Sequence, residues 1–230
     1  MTKKKKDVAE SSVENVEGAL SKTERYIEEN QKSLTIILIV VFVLFGGYYG
    51  YKRLYLAPKE NEAKSQMFIA EEYFEADSFN LALMGDGNNP GFQEIIDDYG
   101  ITKTADLAHY YKGISNLRLG NYEQAIDDLK DFDAGDEIVA ALSLGAIGDA
   151  YVQLENLDQA ASYYERAVSY SDNQFTAPIY LKKLGLLYEY QEQYDKALNA
   201  FNKIKSDYPE SAEERSIVKY ITRVETKIQK

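Results

Sequence analysis

Side-chain catalysis needs nucleophiles, proton carriers or metal ligands, and this sequence is poor in them. It has one histidine, His109, and no cysteine. The lack of cysteine removes thiolate nucleophiles, disulfides, thiolate metal sites and an acyl anchor on an N-terminal cysteine. With a single imidazole, a histidine-rich metal site and a Ser-His-Asp triad both lose their basis. Acidic residues are plentiful, but Asp97-Asp98 and Asp127-Asp128 are adjacent in the chain. Adjacent side chains on a helix diverge, so these pairs read as solvated faces and not as acid–base couples. There is no phosphate-binding glycine loop, no HExxH and no GxSxG. No catalytic residue, cofactor or metal is assigned, and the chain is not expected to be an enzyme.

What remains is the chemistry of contact. The chain holds 20 Tyr and 9 Phe but no Trp among 230 residues. Its 26 Lys+Arg against 38 Asp+Glu give a net charge of −12. That is too acidic for a nucleic-acid footprint spread over the surface. Hydrophobic residues at 45% and charged residues at 28% are ordinary globular usage. Four prolines permit long helices.

The elements that carry these residues fall into zones. Residues 1–33 are polar, with seven basic and seven acidic side chains. Val13, Val16, Leu20, Thr23 and Ile27 are spaced 3-4-3-4, the seam of an amphipathic helix. That helix is either a membrane-surface or solvated helix, or a short partner-binding or self-pairing one. From Ser33 to Tyr51 there is no charge, and Leu34–Phe45 is apolar apart from Thr35. At the helical rise, 19 residues span roughly 28 Å, close to the ~30 Å of a bilayer core. Tyr48, Tyr49, Tyr51 and Tyr55, with Lys52 and Arg53, follow as an interfacial belt. Residues 34–57 are therefore read as a membrane anchor. The long polar stretch before it and the missing small-residue cleavage site argue against a cleaved signal peptide. The seven basic residues of the short tail favour a cytoplasmic N-terminus.

An internal repeat follows. Gly113, Gly148 and Gly185 step by 35 and 37 residues, and so do Ala125, Ala160 and Ala197. The longer step fits an extended loop around Ser171–Gln174. Each unit reads as a helix, a break (Gly120-Asn121, Glu155-Asn156, Glu192-Gln193) and a second helix. The glycine of each first helix is expected to face the alanine twelve positions on, at the closest approach of the two helices, with large residues above and below. Each hairpin leaves an apolar face that the next must cover. Residues 58–105 read as a degenerate first hairpin. Its first helix carries Ala63, Met67, Ala70 and Phe74, and its second spans 92–99. Residues 211–230, with Ile217, Val218, Ile221, Val224 and Ile228 on one face, read as a capping helix.

This pattern resembles the tetratricopeptide repeat. Leu184-Gly185, Tyr188, Tyr194, Ala197, Phe201 and Pro209 match the motif in the third unit. Gly148, Tyr151, Leu157, Ala160, Tyr164 and Ala167 match it in the second. The first unit departs from it at Lys112, Asn116 and Phe132. Residues 106–210 are thus three such repeats. The expected fold is all-α, a single transmembrane helix followed by a solenoid of helical hairpins with a C-terminal cap. His109 falls where the family carries a bulky aromatic, so it is expected as a packed and satisfied ring.

The resemblance also implies a peptide- or domain-binding groove along the first helices. The family's groove positions fall on Tyr110, Ile114, Leu117 and Arg118, then on Asp149 and Gln153, then on Lys182, Leu186, Glu189 and Tyr190. The family's carboxylate clamp is absent, because Tyr110, Ile114, Gly145 and Asp149 stand at its Lys and Asn positions. A surface of mixed aromatic and polar residues suits a protein partner better than a small molecule.

The layout of short tail, single anchor and repeat array resembles the ancillary subunit of the bacterial Sec translocon. That resemblance implies a single-pass protein of the bacterial inner membrane with a cytoplasmic N-terminus and a periplasmic repeat domain. Its implied partners are Sec translocon subunits or periplasmic chaperones, with membrane lipid around residues 34–57 and no nucleic acid. The alternative is a structural scaffold of a division or secretion complex in the envelope, self-associating through the N-terminal helix.

Overall fold

The computed structural model describes residues 25–229, which leaves the seam from Val13 to Thr23 outside the described residues. Among the described residues every regular element is helical. They form two units, the first ending at Ala57 and the second running from Pro58.

The first unit contains helix α1 (Gln31–Tyr51) and a π-helical turn, Lys52–Leu56. No residue of α1 is buried, although an 18-residue window has a mean hydropathy of 2.1. By length and composition this helix can cross a membrane. Its apolar side chains surround the axis, so no stripe is available for packing on a core. Tyr51 and Tyr55 contact ring to ring at 5.5 Å.

The second unit is a solenoid of helical hairpins. Its helices are α2 (Ala57–Glu75), α3 (Phe79–Met84), α4 (Phe92–Tyr99), α5 (Lys103–Leu119), α6 (Tyr122–Asp131), α7 (Glu137–Gln153), α8 (Leu157–Tyr170), α9 (Ala177–Tyr190), α10 (Tyr194–Asp207) and α11 (Glu214–Ile228). Side-chain acceptors start several of them. Thr102 Oγ1 accepts from Ala105 N at 3.1 Å, and Asp136 Oδ1 accepts from Ile138 N and Val139 N at 2.9 and 3.1 Å. These satisfy donors that the helix itself leaves open.

Four turns end in the same way. Backbone N–H groups of Ser78, Asn121, Asn156 and Gln193 donate to the carbonyls of Tyr73, Asn116, Tyr151 and Tyr188, five residues back. The residue before each donor is left-handed: Asp77 (φ 54°), Gly120 (84°), Glu155 (58°) and Glu192 (60°). This is the six-to-one closure that commonly ends a helix, usually on glycine. It corrects the expected first hairpin. α2 turns back at Asp77 into the short α3, and the 92–99 helix (α4) is an additional element. The Asp77-Ser78 turn lacks a glycine, whereas Gly85 to Gly91 is rich in turn residues. The latter stretch is a loop pinned by Asp86, whose Oδ1 accepts from Asn88 N and Asn89 N and whose Oδ2 accepts from the Tyr73 hydroxyl, at 2.7–2.8 Å.

The small residues do close the hairpins, but against different partners from those expected. A Cβ on Gly113 would meet Leu129 Cγ at 2.5 Å, one on Gly148 would meet Tyr164 Cε1 at 2.6 Å, and one on Gly185 would meet the Phe201 ring. Each pair is sixteen residues apart, not twelve. The glycine is a seat for the large side chain one turn beyond the buried alanine. Between the second and third hairpins Gly145 seats the Tyr180 ring in the same manner.

The core runs along the stack. Met67, Ala70, Phe92, Ile95 and Ala108 pack at the start, and Ile126, Leu129, Ile147, Ala150 and Tyr163 in the middle. Tyr164, Leu184, Phe201, Ile204, Ile217 and Val224 pack at the end. In α11, Ile217, Ile221 and Val224 are buried, while Val218 and Ile228 are exposed. The inward stripe is therefore narrower than the sequence pattern indicated.

Two sequence expectations fail locally. Asp127 is solvated, but Asp128 is buried. Its carboxylate pairs with Lys112 Nζ at 2.7 Å and accepts from Asn116 Nδ2 at 2.8 Å. The departures of the first repeat from the motif thus answer one another. His109 is packed, but its Nδ1 is buried with no hydrogen-bond partner, so the ring is not satisfied.

Candidate protein-binding groove

The first helices of the three repeats, α5, α7 and α9, present side chains to a common groove. A hollow of about 750 Å³ is lined by Tyr110, Ile114, Leu117, Arg118, Tyr122, Leu142, Asp149, Gln153, Tyr180 and Lys183. A second hollow of about 610 Å³ is lined by Leu157, Leu186, Leu187, Tyr190 and Glu155. Asp149, Val152, Tyr164 and Lys183 line both. Helical spacing explains the set: Tyr110, Ile114, Leu117 and Arg118 recur at three and four residues, one face of α5.

The bar between the hollows is an ion pair. Lys183 Nζ lies 2.6 Å from both carboxylate oxygens of Asp149, and the Tyr164 hydroxyl donates to Asp149 Oδ1 at 2.6 Å. The ammonium also sits 5.7–5.8 Å from the Tyr164 and Tyr180 ring centres. Burial, reinforced by the Asp149 carboxylate, pushes both phenols well above their ordinary value of 10. The hydroxyls therefore stay neutral donors. About a third of each partner of the ion pair is exposed. Tyr122 Oη approaches Gln153 Oε1 at 3.4 Å across the first and second repeats.

Of the residues placed in the groove from sequence, Tyr110, Ile114, Leu117, Arg118, Asp149 and Gln153 line the first hollow. Leu186 and Tyr190 line the second with Asp149. Glu189 does not belong there. It is 8% exposed and accepts from Arg223 at 2.5 Å and Lys227 at 2.9 Å, both on the capping helix. Lys182 does not line either hollow and places its Nζ 5.6 Å from the Tyr220 ring centre, also on the cap. Both turn away because α11 covers that side of α9, a long-range contact invisible to a per-repeat register. Lys183, the neighbour that the sequence reading passed over, is the lysine of the groove. A signal was available: Lys183 lies 35 residues after Gly148 and 34 after Asp149, one repeat length from a carboxylate on the preceding first helix.

Among the described residues there is no group of three or more His, Cys, Asp or Glu side chains placed to hold a metal ion. The groove offers rings, aliphatic patches, one exposed guanidinium and a neutralised ion pair.

Residues 141–174 and 183–211 match models of the tetratricopeptide repeat. No curated protein matches the sequence. Among solved structures, a crystal structure of MamA protein superposes with a TM-score of 0.53 at 19% identity, covering 73% of this chain and 92% of that one. Another crystal structure of MamA has a TM-score of 0.49 at 19% identity, covering 70% and 95%. At that identity the first likeness speaks to the fold, and it agrees with the repeat assignment. The second unit is thus an all-α stack of helical hairpins in which residues 141–174 and 183–211 are tetratricopeptide repeats.

Proposed function

We propose that this chain is a non-enzymatic, membrane-anchored adaptor that holds a partner protein in the groove of its repeat array. The observation that carries the reading is the groove itself, built by three successive first helices and open among the described residues. The anchor is assigned to residues 34–57, because α1 is apolar on every side and buries nothing within its own chain. The N-terminus lies in the cytoplasm and the solenoid in the periplasm of a bacterial inner membrane. There the solenoid assists protein translocation or periplasmic chaperones.

A photo-crosslinking residue at Gln153, in full-length protein expressed in intact cells, tests the groove. The expected products contain translocon subunits or periplasmic chaperones. Recovery of neither would overturn the assignment to translocation. Protease added to spheroplasts should remove the repeat domain and spare the tail; the reverse pattern would invert the topology. The intact mass of the mature protein should include residues 1–33, since a processed signal peptide would remove them.

A further inference from the structure

We infer that the groove takes an extended segment of about six residues with an acidic side chain at one end and a bulky apolar side chain at the other. The inference rests on the groove being a peptide site and adds which peptide.

The argument starts from charge. From residue 54 onward the chain has 17 Lys+Arg against 31 Asp+Glu, a net acidic balance. The groove is different. Asp149 and Lys183 neutralise each other, and Gln153 is uncharged. Arg118 is exposed at the first hollow and makes no ion pair or hydrogen bond among the described residues. A guanidinium in that position selects a carboxylate, which it can bind bidentately. The second hollow carries the opposite bias. Its charged lining group beyond the central pair is Glu155, and the rest is Leu157, Leu186, Leu187 and Tyr190. Tyr190 is 77% exposed, an aromatic wall open to solvent among the described residues. A carboxylate would be repelled there, while an aliphatic or aromatic side chain would bury apolar surface.

The separation sets the length. Arg118 lies on α5 and Leu186 and Tyr190 on α9, with α7 between. Two interhelical steps of ~8–10 Å make roughly 16–20 Å. An extended chain advances ~3.3 Å per residue, so about six residues join the two hollows. The occupant's middle residues cross the Asp149–Lys183 bar, which presents no net charge and selects neither sign.

The test is selection of random six-residue peptides, displayed within a neutral flanking sequence, on the full-length protein in detergent micelles. A Gln153→Trp, Leu186→Trp double variant, which fills both hollows from exposed positions, marks binding that depends on the groove. Groove-dependent peptides should carry Asp or Glu at one end and Leu, Phe or Tyr at the other. They should bind Arg118→Glu at least about fivefold more weakly, the scale of one exposed ion pair. Reselection on Arg118→Glu should return Lys or Arg in place of the acid, and Arg118→Lys should retain the acidic preference. Groove-dependent peptides that lack the acid, or whose ranking ignores Arg118→Glu, would overturn this inference and leave the adaptor reading standing. If no peptide depends on the groove, both fall. Arg118 is exposed, and an unchanged melting curve certifies that each variant has folded.

Discussion

Gly185 is the seat of Phe201: the ring lies where a side chain on residue 185 would have to be, across the third hairpin and sixteen residues away. The same spacing joins Gly148 to Tyr164 and Gly113 to Leu129. Helix approach and the packing of one large side chain are therefore a single constraint, met three times.

Gly185→Leu should destabilise the solenoid by about 1–3 kcal/mol or more, because Phe201 is fully buried and cannot retreat without moving α10. Phe201→Leu in the Gly185→Leu background should recover part of the loss, since the two side chains compete for one volume. Thermal melts of the single and double variants measure it. A melting temperature equal to wild type in Gly185→Leu would mean that the hairpin is not closed at this seat.

Glu189 ties the capping helix to the third repeat and should make the cap acid-sensitive. Burial alone would raise its pKa, but hydrogen bonds from Arg223 and Lys227 outweigh this and hold the carboxyl below its ordinary 4.5. The native value is depressed, so the pairing stabilises the fold above pH 4.5 and is lost as the pH falls through the native value. Glu189→Gln should cost about 1–2 kcal/mol at pH 7, because the two cations stay partly hydrated when their partner is gone. Between pH 5 and pH 3 (roughly the carboxylate range) the wild type should lose stability faster than the variant. Parallel denaturant titrations at the two pH values read the difference; parallel slopes would acquit Glu189.

The polar knot of the first repeat should show strong coupling. Asp128→Ala leaves the buried Asn116 and the half-buried Lys112 without their acceptor and should cost about 2–3 kcal/mol. The corresponding sites of the other repeats hold Ile147 and Leu184 for Lys112, and Tyr163 and Ala200 for Asp128. The double change Lys112→Leu, Asp128→Ala should therefore be more stable than Asp128→Ala alone. A double-mutant cycle should return a coupling of roughly 1–3 kcal/mol, and additivity would show that the two do not act together.

Glu192 holds a left-handed backbone at φ 60° without glycine's freedom. Glu192→Gly should raise stability by roughly 0.5–1 kcal/mol, the strain relieved exceeding the extra entropy of the unfolded chain. Glu192→Val should lower it, since a β-branched residue tolerates that conformation poorly. Urea midpoints for the two variants on opposite sides of wild type would bear this out.

How much of this was legible in the sequence depends on range. The helical hairpins, their turns and the open first-helix face follow from periods of three to four and of thirty-five to thirty-seven, which local sequence displays. Tyr110, Ile114, Arg118, Asp149 and Gln153 could be placed because their surroundings repeat. Glu189 and Lys182 could not, because a helix more than thirty residues on claims their face. Asp128 reads as a solvated acid in sequence because its partner Lys112 sits on the other helix of the hairpin. The short α3 is hard to see in sequence because its turn uses Asp77 in place of the glycine that usually marks a left-handed helix end. Lys183 was passed over in favour of the neighbour one position before it, an error of 100° around a helix.

The four hairpin turns share one further property. Each is closed by a main-chain bond from the residue after the left-handed position to a carbonyl five back, and Asp, Gly and Glu all serve at that position. The bend therefore sets little demand on the identity of what flanks it. Donor and acceptor sit within six consecutive residues, so each corner is carried whole by its own stretch of chain and asks nothing of the neighbouring hairpins.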